Sequence, residues 1–470
     1  MKRFIFGLTL VVVCVFGWWV YTGTTKESPS ANLSLGKIVS IGEVERQSSD
    51  PFLQTAADGQ VLLSWTEKPN PKERGRNAYL ATLNSQGSPV APHRINDIDN
   101  HVHWYGGDNR LKFSVAPDNS ITAVWQAPMG GEFKISNVYF ASASKNGPFV
   151  SSTVLNDDDN DPPVAHAFST IATAPNGKVY ATWIDGRNRT FQGIGEAKST
   201  AERRADIKMR DLTIPEYAFK ASPKTRRVFA ENSSQLLMAV SEDGGKTFGK
   251  NYPITDVQVC ACCVPNIAFV SGGETVVVSY RNVTDEYLRD NVIIRSSDGG
   301  KTFSEPEYFS DDGWIARFCP HAGPSMISDA DGKLHILWFT VGTSKPGDEG
   351  IFYLFSEDGG VTFSERELIA KTPSHTVLHT QIVSDADGRL WAVWENFSEG
   401  EMKPRIYMAY RSPNNTSWSQ TFEVSEANST TSMLPTIAIN GNTVYISWVE
   451  KTGEASQVKV RTGTLALPVS

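Results

Sequence analysis

The hydrophobic and polar positions of this chain follow one unit that recurs along most of its length. A short apolar segment leads into a Gly, Asn or Asp turn, and an alternating segment follows that ends in an aromatic residue. Seven copies end at Trp65, Trp125, Trp183, Tyr280, Trp338, Trp394 and Trp448. These residues are 60, 58, 97, 58, 56 and 54 positions apart, so only the third unit carries a long insertion. Apolar alternation between turn residues is typical of β-strands, and this repetition predicts a repeat architecture built of β-sheet.

A second pattern, an octamer, follows three of these units. It occupies residues 241–248, 296–303 and 356–363, with the shared form Ser-x-Asp-Gly-Gly-x-Thr-Phe. The Asp of such a turn can accept backbone N–H groups, and its glycines can adopt positive φ. The Ser and Thr can tie the two ends together. We expect the Phe to pack between neighbouring sheets.

These octamers match the Asp-box, or BNR, repeat, so residues 37–466 resemble the sialidase-like β-propeller superfamily. The resemblance implies an all-β propeller, and each unit supplies the four strands of one blade. Seven units predict seven blades, with the six-bladed ring of sialidases as the alternative. The seventh unit lacks an outer strand, and residues 37–45 can supply it and close the ring. The octamers fall in the last turn of their blades, on the face opposite to the channel mouth.

Strand direction places another group of residues at the mouth of the central channel. The innermost strand of a blade begins on that face, so the residues before it ring the mouth, where ligand sites commonly lie. Six of the eight His and four of the five Cys occupy such positions: His101, His103, His166, His321, His375, His379, Cys260, Cys262, Cys263 and Cys319. Residues 259–265 open blade four and residues 314–321 open blade five. We expect these two runs to lie side by side.

Two interpretations of the cysteines stay open. In an oxidising compartment, four cysteines predict disulfides, such as Cys260 with Cys319, which would leave Cys262 and Cys263 as a strained vicinal pair. Thiolates beside imidazoles instead favour copper or zinc. The candidate ligands are Cys260, Cys262, Cys263, Cys319, His166, His321, His375 and His379.

The resemblance also implies a candidate catalytic set. Sialidases bind a substrate carboxylate with an arginine cluster, use a Tyr as nucleophile and use an Asp as acid/base. The corresponding candidates here are Arg187, Arg281 and Arg317 for the cluster, Asp185 or Asp161 for the acid/base, and Tyr280 or Tyr105 for the nucleophile. The early Arg-Ile-Pro segment of sialidases is absent, and its nearest counterpart is Arg94-Ile95-Asn96.

The N-terminus predicts export and attachment to a membrane. Lys2 and Arg3 precede an uncharged run over residues 4–21, close to the ~20 residues that cross a bilayer as a helix. The run ends in bulky residues, which favours an uncleaved anchor over residues 1–21 rather than a cleaved signal peptide. Residues 22–36 have the composition of a flexible tether. The basic end stays in the cytoplasm, so the propeller is expected to be extracytoplasmic, in the periplasm or at the cell surface.

The third unit carries a basic insertion over residues 187–232. Residues 187–230 hold eleven Lys/Arg against five Asp/Glu, and 196–211 have helical composition. We expect a loop, a lid, or a surface for a partner or for anionic lipid. The net charge of -8 argues against a nucleic-acid partner. Three functions therefore remain: a copper- or zinc-binding propeller, a sialidase-like glycoside hydrolase, and a non-catalytic scaffold that binds glycan or protein at the channel mouth.

Overall fold

The structure is a computed structural model that describes most of the predicted propeller. The described residues are 32–70, 75–103, 108–129, 132–145, 147–158, 164–188, 191–196, 225–229, 233–316, 320–342, 349–372, 379–397, 403–413, 415–426 and 430–466. In these ranges the chain forms β-strands and short 3-10 turns at Val44–Arg46 and Ser271–Gly273.

The strands follow one another with short connections. In chain order they are β1 (Asn32–Ile41), β2 (Ser49–Thr55), β3 (Val61–Glu67), β4 (Asn77–Leu83), β5 (Pro89–Arg94), β6 (Lys112–Val115), β7 (Ile121–Met129), β8 (Glu132–Ala143), β9 (Thr153–Val154), β10 (His166–Thr173), β11 (Val179–Asp185), β12 (Phe191–Glu196), β13 (Thr225–Phe229), β14 (Gln235–Ser241), β15 (Tyr252–Pro253), β16 (Asn266–Val270), β17 (Thr275–Arg281), β18 (Asn291–Ser296), β19 (Glu307–Tyr308), β20 (Ser325–Ser328), β21 (Leu334–Thr340), β22 (Gly350–Ser356), β23 (Glu367–Lys371), β24 (Thr380–Ser384), β25 (Leu390–Asn396), β26 (Arg405–Arg411), β27 (Phe422–Glu423), β28 (Thr431–Asn440), β29 (Thr443–Thr452) and β30 (Ala455–Ala466).

Seven antiparallel sheets of four strands form the blades, which confirms the predicted count. Six blades are meanders of four strands: β2–β5, β6–β9, β10-β11-β14-β15, β16–β19, β20–β23 and β24–β27. In the third of these, the β12–β13 hairpin is inserted between the second and third strands. The seventh has the order β28-β29-β30-β1, so the N-terminal strand supplies the outer edge as predicted. That strand begins at Asn32 rather than at residue 37, because Leu33 and Leu35 pack against the core of the seventh blade.

The innermost strands surround the propeller axis. β2, β6, β10, β16, β20, β24 and β28 line a cavity of about 360 Å³. The repeated aromatic residues lie between the sheets, and Trp125, Trp183, Trp338, Trp394 and Trp448 are fully buried. Burial of such large side chains is the main favourable term in folding, so the repeat pattern marks the contacts that hold neighbouring blades together.

The three octamers form the turns between the third and fourth strands of blades three, four and five. In the second octamer, Oδ1 of Asp298 accepts the N–H groups of Lys301 and Thr302, and Oδ2 accepts the Thr302 hydroxyl. The bond from the Thr302 N–H is the main reason why the pKa of Asp298 lies well below its ordinary value. The Phe packs across a blade boundary as predicted: the Phe248 ring meets Phe140 of blade two at 4.8 Å.

Several predicted segments fall wholly or partly outside the described residues. The anchor over residues 1–21 and most of the tether lie outside them, and so do residues 197–224 of the insertion. The described part of the insertion contains the β12–β13 hairpin. Among the described residues, no helix is both long and apolar enough to cross a membrane.

The two glycines of the first octamer offer a matched test of how the turn meets blade two. Both have positive φ, 75° at Gly244 and 85° at Gly245. A Cβ at Gly244 would meet nothing, whereas a Cβ at Gly245 would overlap Oγ1 of Thr122. We expect Gly244→Ala to lower the free energy of unfolding by about 1 kcal/mol through backbone strain, and Gly245→Ala by about 2 kcal/mol more through the clash. Urea unfolding measures both, and equal losses would contradict the proposed contact.

Candidate functional site

Three of the four cysteines predicted at the channel mouth, Cys260, Cys262 and Cys263, lie in the loop between β15 and β16. Cys260 begins a tight turn, because its carbonyl oxygen accepts the N–H groups of Cys262 and Cys263 at 2.8 and 3.4 Å. Sγ of Cys260 lies 3.7 Å from Sγ of Cys262 and 3.4 Å from Sγ of Cys263. The three sulfur atoms all lie within 4.8 Å of one another. All three side chains are buried thiols, not bonded to one another as disulfides.

Two buried arginines hold this turn against blade five. Arg289 donates from Nη1 to Sγ of Cys260 at 3.0 Å and from Nε to the carbonyl of Ala316 at 2.7 Å. Arg281 donates to three backbone carbonyls of the same region, those of Arg289, Ala322 and Phe339. These bonds join the run that opens blade four to the run that opens blade five, which confirms that the two runs are neighbours.

His321 lies on the blade-five side of this junction. Two residues further on, Gly323 passes so close to blade four that a Cβ there would overlap the carbonyl of Val264. Nδ1 of His321 is buried and has no hydrogen-bond partner among the residues that the structure describes. Burial is the main reason why the pKa of His321 falls to about 4, although Cys260 opposes the shift. The imidazole is therefore neutral near pH 7, which is the form that binds metal ions.

Charged side chains occupy the equivalent positions of blades two and six. Asp108 pairs with Arg110 at 2.5 Å, and its Oδ2 lies 3.7 Å from Nζ of Lys112. Burial raises the pKa of Asp108, but Arg110 and Lys112 outweigh it and lower the value to about 2. In blade six, Nδ1 of His379 lies 3.1 Å from Oε1 of Glu395. Burial lowers the pKa of His379, and Glu395 reverses the direction and raises it.

Blade three carries a separate ionic cluster around His166. Its Nδ1 lies 2.7 Å from the carbonyl oxygen of Ser136. Nε2 lies 3.2 Å from Asp158 and 3.5 Å from Asp185. Arg187 completes the cluster, because it donates from Nε and Nη2 to the two carboxylate oxygens of Asp185. His166 therefore faces carboxylates, whereas the group of potential metal ligands in the described part of the chain contains the three cysteines.

The candidate catalytic residues are dispersed among these environments. Asp185 and Arg187 bind each other in blade three, and Trp183 donates from Nε1 to the same Asp185. Arg281 is fully buried with its donors on carbonyls, which is the environment of a side chain that links two blades. Tyr280 is also buried, and burial raises its pKa. Five further candidates lie outside the described residues: Arg317, Cys319, His375, Tyr105 and Asp161.

The sequence reasoning missed several residues that shape the mouth. They are Asp108, Arg110, Lys112 and Arg289. One signal was available: Asp108, Arg110 and Lys112 immediately precede or begin an innermost strand, which is the rule that selected the histidines. Arg289 has no such signal, because it precedes a third strand and reaches the cysteines only through the packing of two loops.

Comparison with solved structures supports the fold. The chain is similar to the polysaccharide lyase Uly1, with a TM-score of 0.52, 10% identity, and coverage of 92% of this chain and 100% of that one. It is also similar to the ulvan lyase PL25, with a TM-score of 0.50, 11% identity, and coverage of 88% and 93%. The NanB sialidase from Streptococcus pneumoniae gives a TM-score of 0.45 at 13% identity over 92% and 71%. No protein-family model matches the sequence, and no curated protein matches it. At these identities the likeness concerns the fold alone.

The His166–Asp158 pair links stability to pH in a defined window. Burial lowers the pKa of His166, but Asp158 and Asp185 outweigh it and raise the pKa above 6.5. The contribution of protonated His166 to the free energy of unfolding is therefore complete below pH 6.5. It is lost as the pH rises through the pKa that His166 has in the folded protein. Burial raises the pKa of Asp158, but His166 outweighs it and lowers the pKa below 3.8. The contribution of ionised Asp158 to the free energy of unfolding is complete above pH 3.8 and is lost as the pH falls through the pKa that Asp158 has in the folded protein.

We expect Asp158→Asn to cost about 2 kcal/mol of unfolding free energy between these limits, as for a hydrogen bond to a charged group. The difference in unfolding free energy between wild type and Asp158→Asn should become smaller both below pH 3.8 and above the pKa of His166 in the folded protein. Urea unfolding from pH 3 to pH 9 measures the profile. Asp99→Asn is the control, since the Asp99 side chain is 81% exposed. A difference between wild type and Asp158→Asn that does not change with pH would contradict the ion pair.

Proposed function

We propose that this protein is a metal-binding β-propeller that holds a copper(I) or zinc(II) ion at the channel mouth between blades four and five. The observation that supports this proposal is the cluster of three buried thiols. In a tetrahedral site with metal–sulfur bonds of about 2.3 Å, the sulfur atoms lie about 3.8 Å apart. The two measured separations from Cys260, 3.4 and 3.7 Å, are close to that spacing without an ion.

His321 is the fourth ligand in this proposal; its ring nitrogens lie outside the group of ligand atoms within 4.8 Å of one another, so the imidazole moves toward the sulfur atoms when the ion binds. It lies on the adjacent loop, and its buried Nδ1 has no partner among the described residues. Three sulfur ligands with one imidazole nitrogen form a common zinc set, and thiolates also suit copper(I). Cys319, outside the described residues, is two positions before His321 and is the alternative ligand from the same loop.

The charges around the thiols support a thiolate-bound ion. Three thiolates with a monovalent or divalent cation carry a net negative charge, which is costly to bury without compensation. Arg289 donates directly to Sγ of Cys260, and Arg281 packs behind it. We further propose that the uncharged run over residues 4–21 anchors the propeller outside the cytoplasm, so that the site meets extracytoplasmic metal.

Metal titration of the reduced full-length protein tests the site. We expect one equivalent of zinc or copper(I), counted by elemental analysis after desalting, and intense sulfur-to-metal absorption with cobalt(II) in place of zinc. Cys263→Ser should weaken zinc binding at least about 100-fold, because a ligand matters more than the outer-shell groups that cost 10–100-fold. His321→Ala should weaken it less.

His93→Ala is the control for His321→Ala, because His93 is an exposed histidine of β5. It should bind zinc as the wild type does. Absence of bound metal in the reduced wild-type protein would overturn the proposal.

A second candidate function is the binding or cleavage of an anionic glycan in the channel. Lys112 supports it, because this side chain lines the cavity and is 6% exposed. Its one ion pair within the described ranges is the 3.7 Å contact to Asp108. The ammonium group therefore retains donors for a carboxylate or sulfate. Two solved structures with this fold are polysaccharide lyases, and others are sialidases.

Assays with ulvan and with a fluorogenic sialoside test the second candidate. A lyase would produce an unsaturated product that absorbs in the ultraviolet, and a hydrolase would release sialic acid. Lys112→Met should weaken binding of the anionic glycan roughly tenfold, since one charge-assisted hydrogen bond is lost. Lys250→Met, at an exposed position, is the control. No binding and no turnover with either substrate, with or without metal, would exclude this candidate.

A further inference from the structure

We propose that Cys260 and Cys263 form a reversible disulfide on oxidation and that this bond expels the metal ion. The inference rests on the proposed metal site and adds its regulation by redox state. It makes the cluster a site of modification as well as a site of binding.

Geometry selects this pair among the three thiols. Cys260 and Cys263 are the first and last residues of one turn, and such a turn brings its end Cα atoms within about 7 Å. Disulfides need Cα atoms about 4.4–6.8 Å apart. Their sulfur atoms are 3.4 Å apart, and need to approach by only about 1.4 Å to reach the S–S bond length. Cys262 is less suited, because its sulfur is farther from Cys260 and a bond to Cys263 would be a strained vicinal ring.

The surroundings of Cys260 favour it as the sulfur that reacts first. The guanidinium of Arg289 contacts it at 3.0 Å and stabilises a thiolate. The cavity reaches Val264, the neighbour of Cys263, so a small oxidant can approach the turn from the channel. The side chains of Cys260, Cys262 and Cys263 are nearly or fully buried. A small oxidant can therefore reach them more easily than the disulfide of another protein can.

The oxidant in this inference is a peroxide. The Cys260 thiolate attacks one peroxide oxygen, the O–O bond breaks, and hydroxide leaves, which gives a sulfenic acid at Cys260. The Cys263 thiolate then attacks the Cys260 sulfur, the S–O bond breaks, and the oxygen leaves as hydroxide, which takes a proton from the solvent to become water. The two sulfurs lose two electrons and the peroxide gains them. Two ligands are lost, and Cys262 with His321 is left as an incomplete set.

Zinc-loaded full-length protein treated with hydrogen peroxide tests the inference. We expect one zinc ion to be released, measured with a chromogenic chelator, as one disulfide forms, mapped to Cys260–Cys263 by mass spectrometry of alkylated peptides. A dithiol should reverse both changes. Cys262→Ser should still form the disulfide, whereas Cys263→Ser should stop at the sulfenic acid. If Cys263→Ser does not fold, the peptide map of the wild type decides.

The outcomes separate this inference from the metal site itself. Zinc release with a Cys262–Cys263 or Cys260–Cys319 bond, or with sulfinic acid and no disulfide, would overturn the redox inference and leave metal binding intact. A Cys260–Cys263 disulfide that forms while zinc stays bound would overturn it as well. Reduced protein that binds no zinc would reject the metal site instead, and with it the expulsion of a metal.

Discussion

The pairing of the first described strand with the last one is the interaction on which the rest of the structure depends. β1 runs antiparallel to β30, with Asn32 opposite Ala466 and Ile41 opposite Val458. Without it, the seventh blade would end at β30 with an unpaired edge. The channel mouth is built from loops of neighbouring blades, so their spacing requires a closed ring. Arg110 shows this dependence, because it donates to carbonyls of Pro51 in blade one and Leu434 in blade seven.

Between blades four and five, buried arginine side chains make the hydrogen bonds that connect the two blades. Within a blade, backbone hydrogen bonds between strands have this role. Arg281 and Arg289 donate to carbonyls of two irregular loops, which would otherwise be buried without partners. A buried guanidinium in turn needs an opposite charge. In the proposed metal site, the Cys260 thiolate supplies one. The structural requirement of the junction and the chemistry of the thiols therefore support each other.

The repeat period predicted what is common to all blades, and it could not predict what depends on contacts between loops. Seven aromatic strand ends indicated seven blades, and the missing outer strand of the seventh unit indicated the closing strand, although Leu33 and Leu35 extend it beyond the expected start. Arg281 shows the limit. It follows an aromatic strand end, where the pattern indicates the mouth, but a loop of blade five covers it and its ring contact is Trp314. Burial by a neighbouring blade leaves no local trace in the sequence.

The propeller offers the same backbone position seven times, and different blades use it for different chemistry. The position before the innermost strand holds thiols in blade four, an imidazole in blade five and a carboxylate with cations in blade two; in blade six it holds an imidazole that pairs with Glu395 of β25. The octamer turns lie at the other end of the sheets and fix the blades through their own hydrogen bonds. A substitution of a ligand at the mouth therefore leaves the octamer turns in place, together with the contact that Phe248 makes across a blade boundary. This separation explains how soft ligands and hard charged groups coexist around one channel.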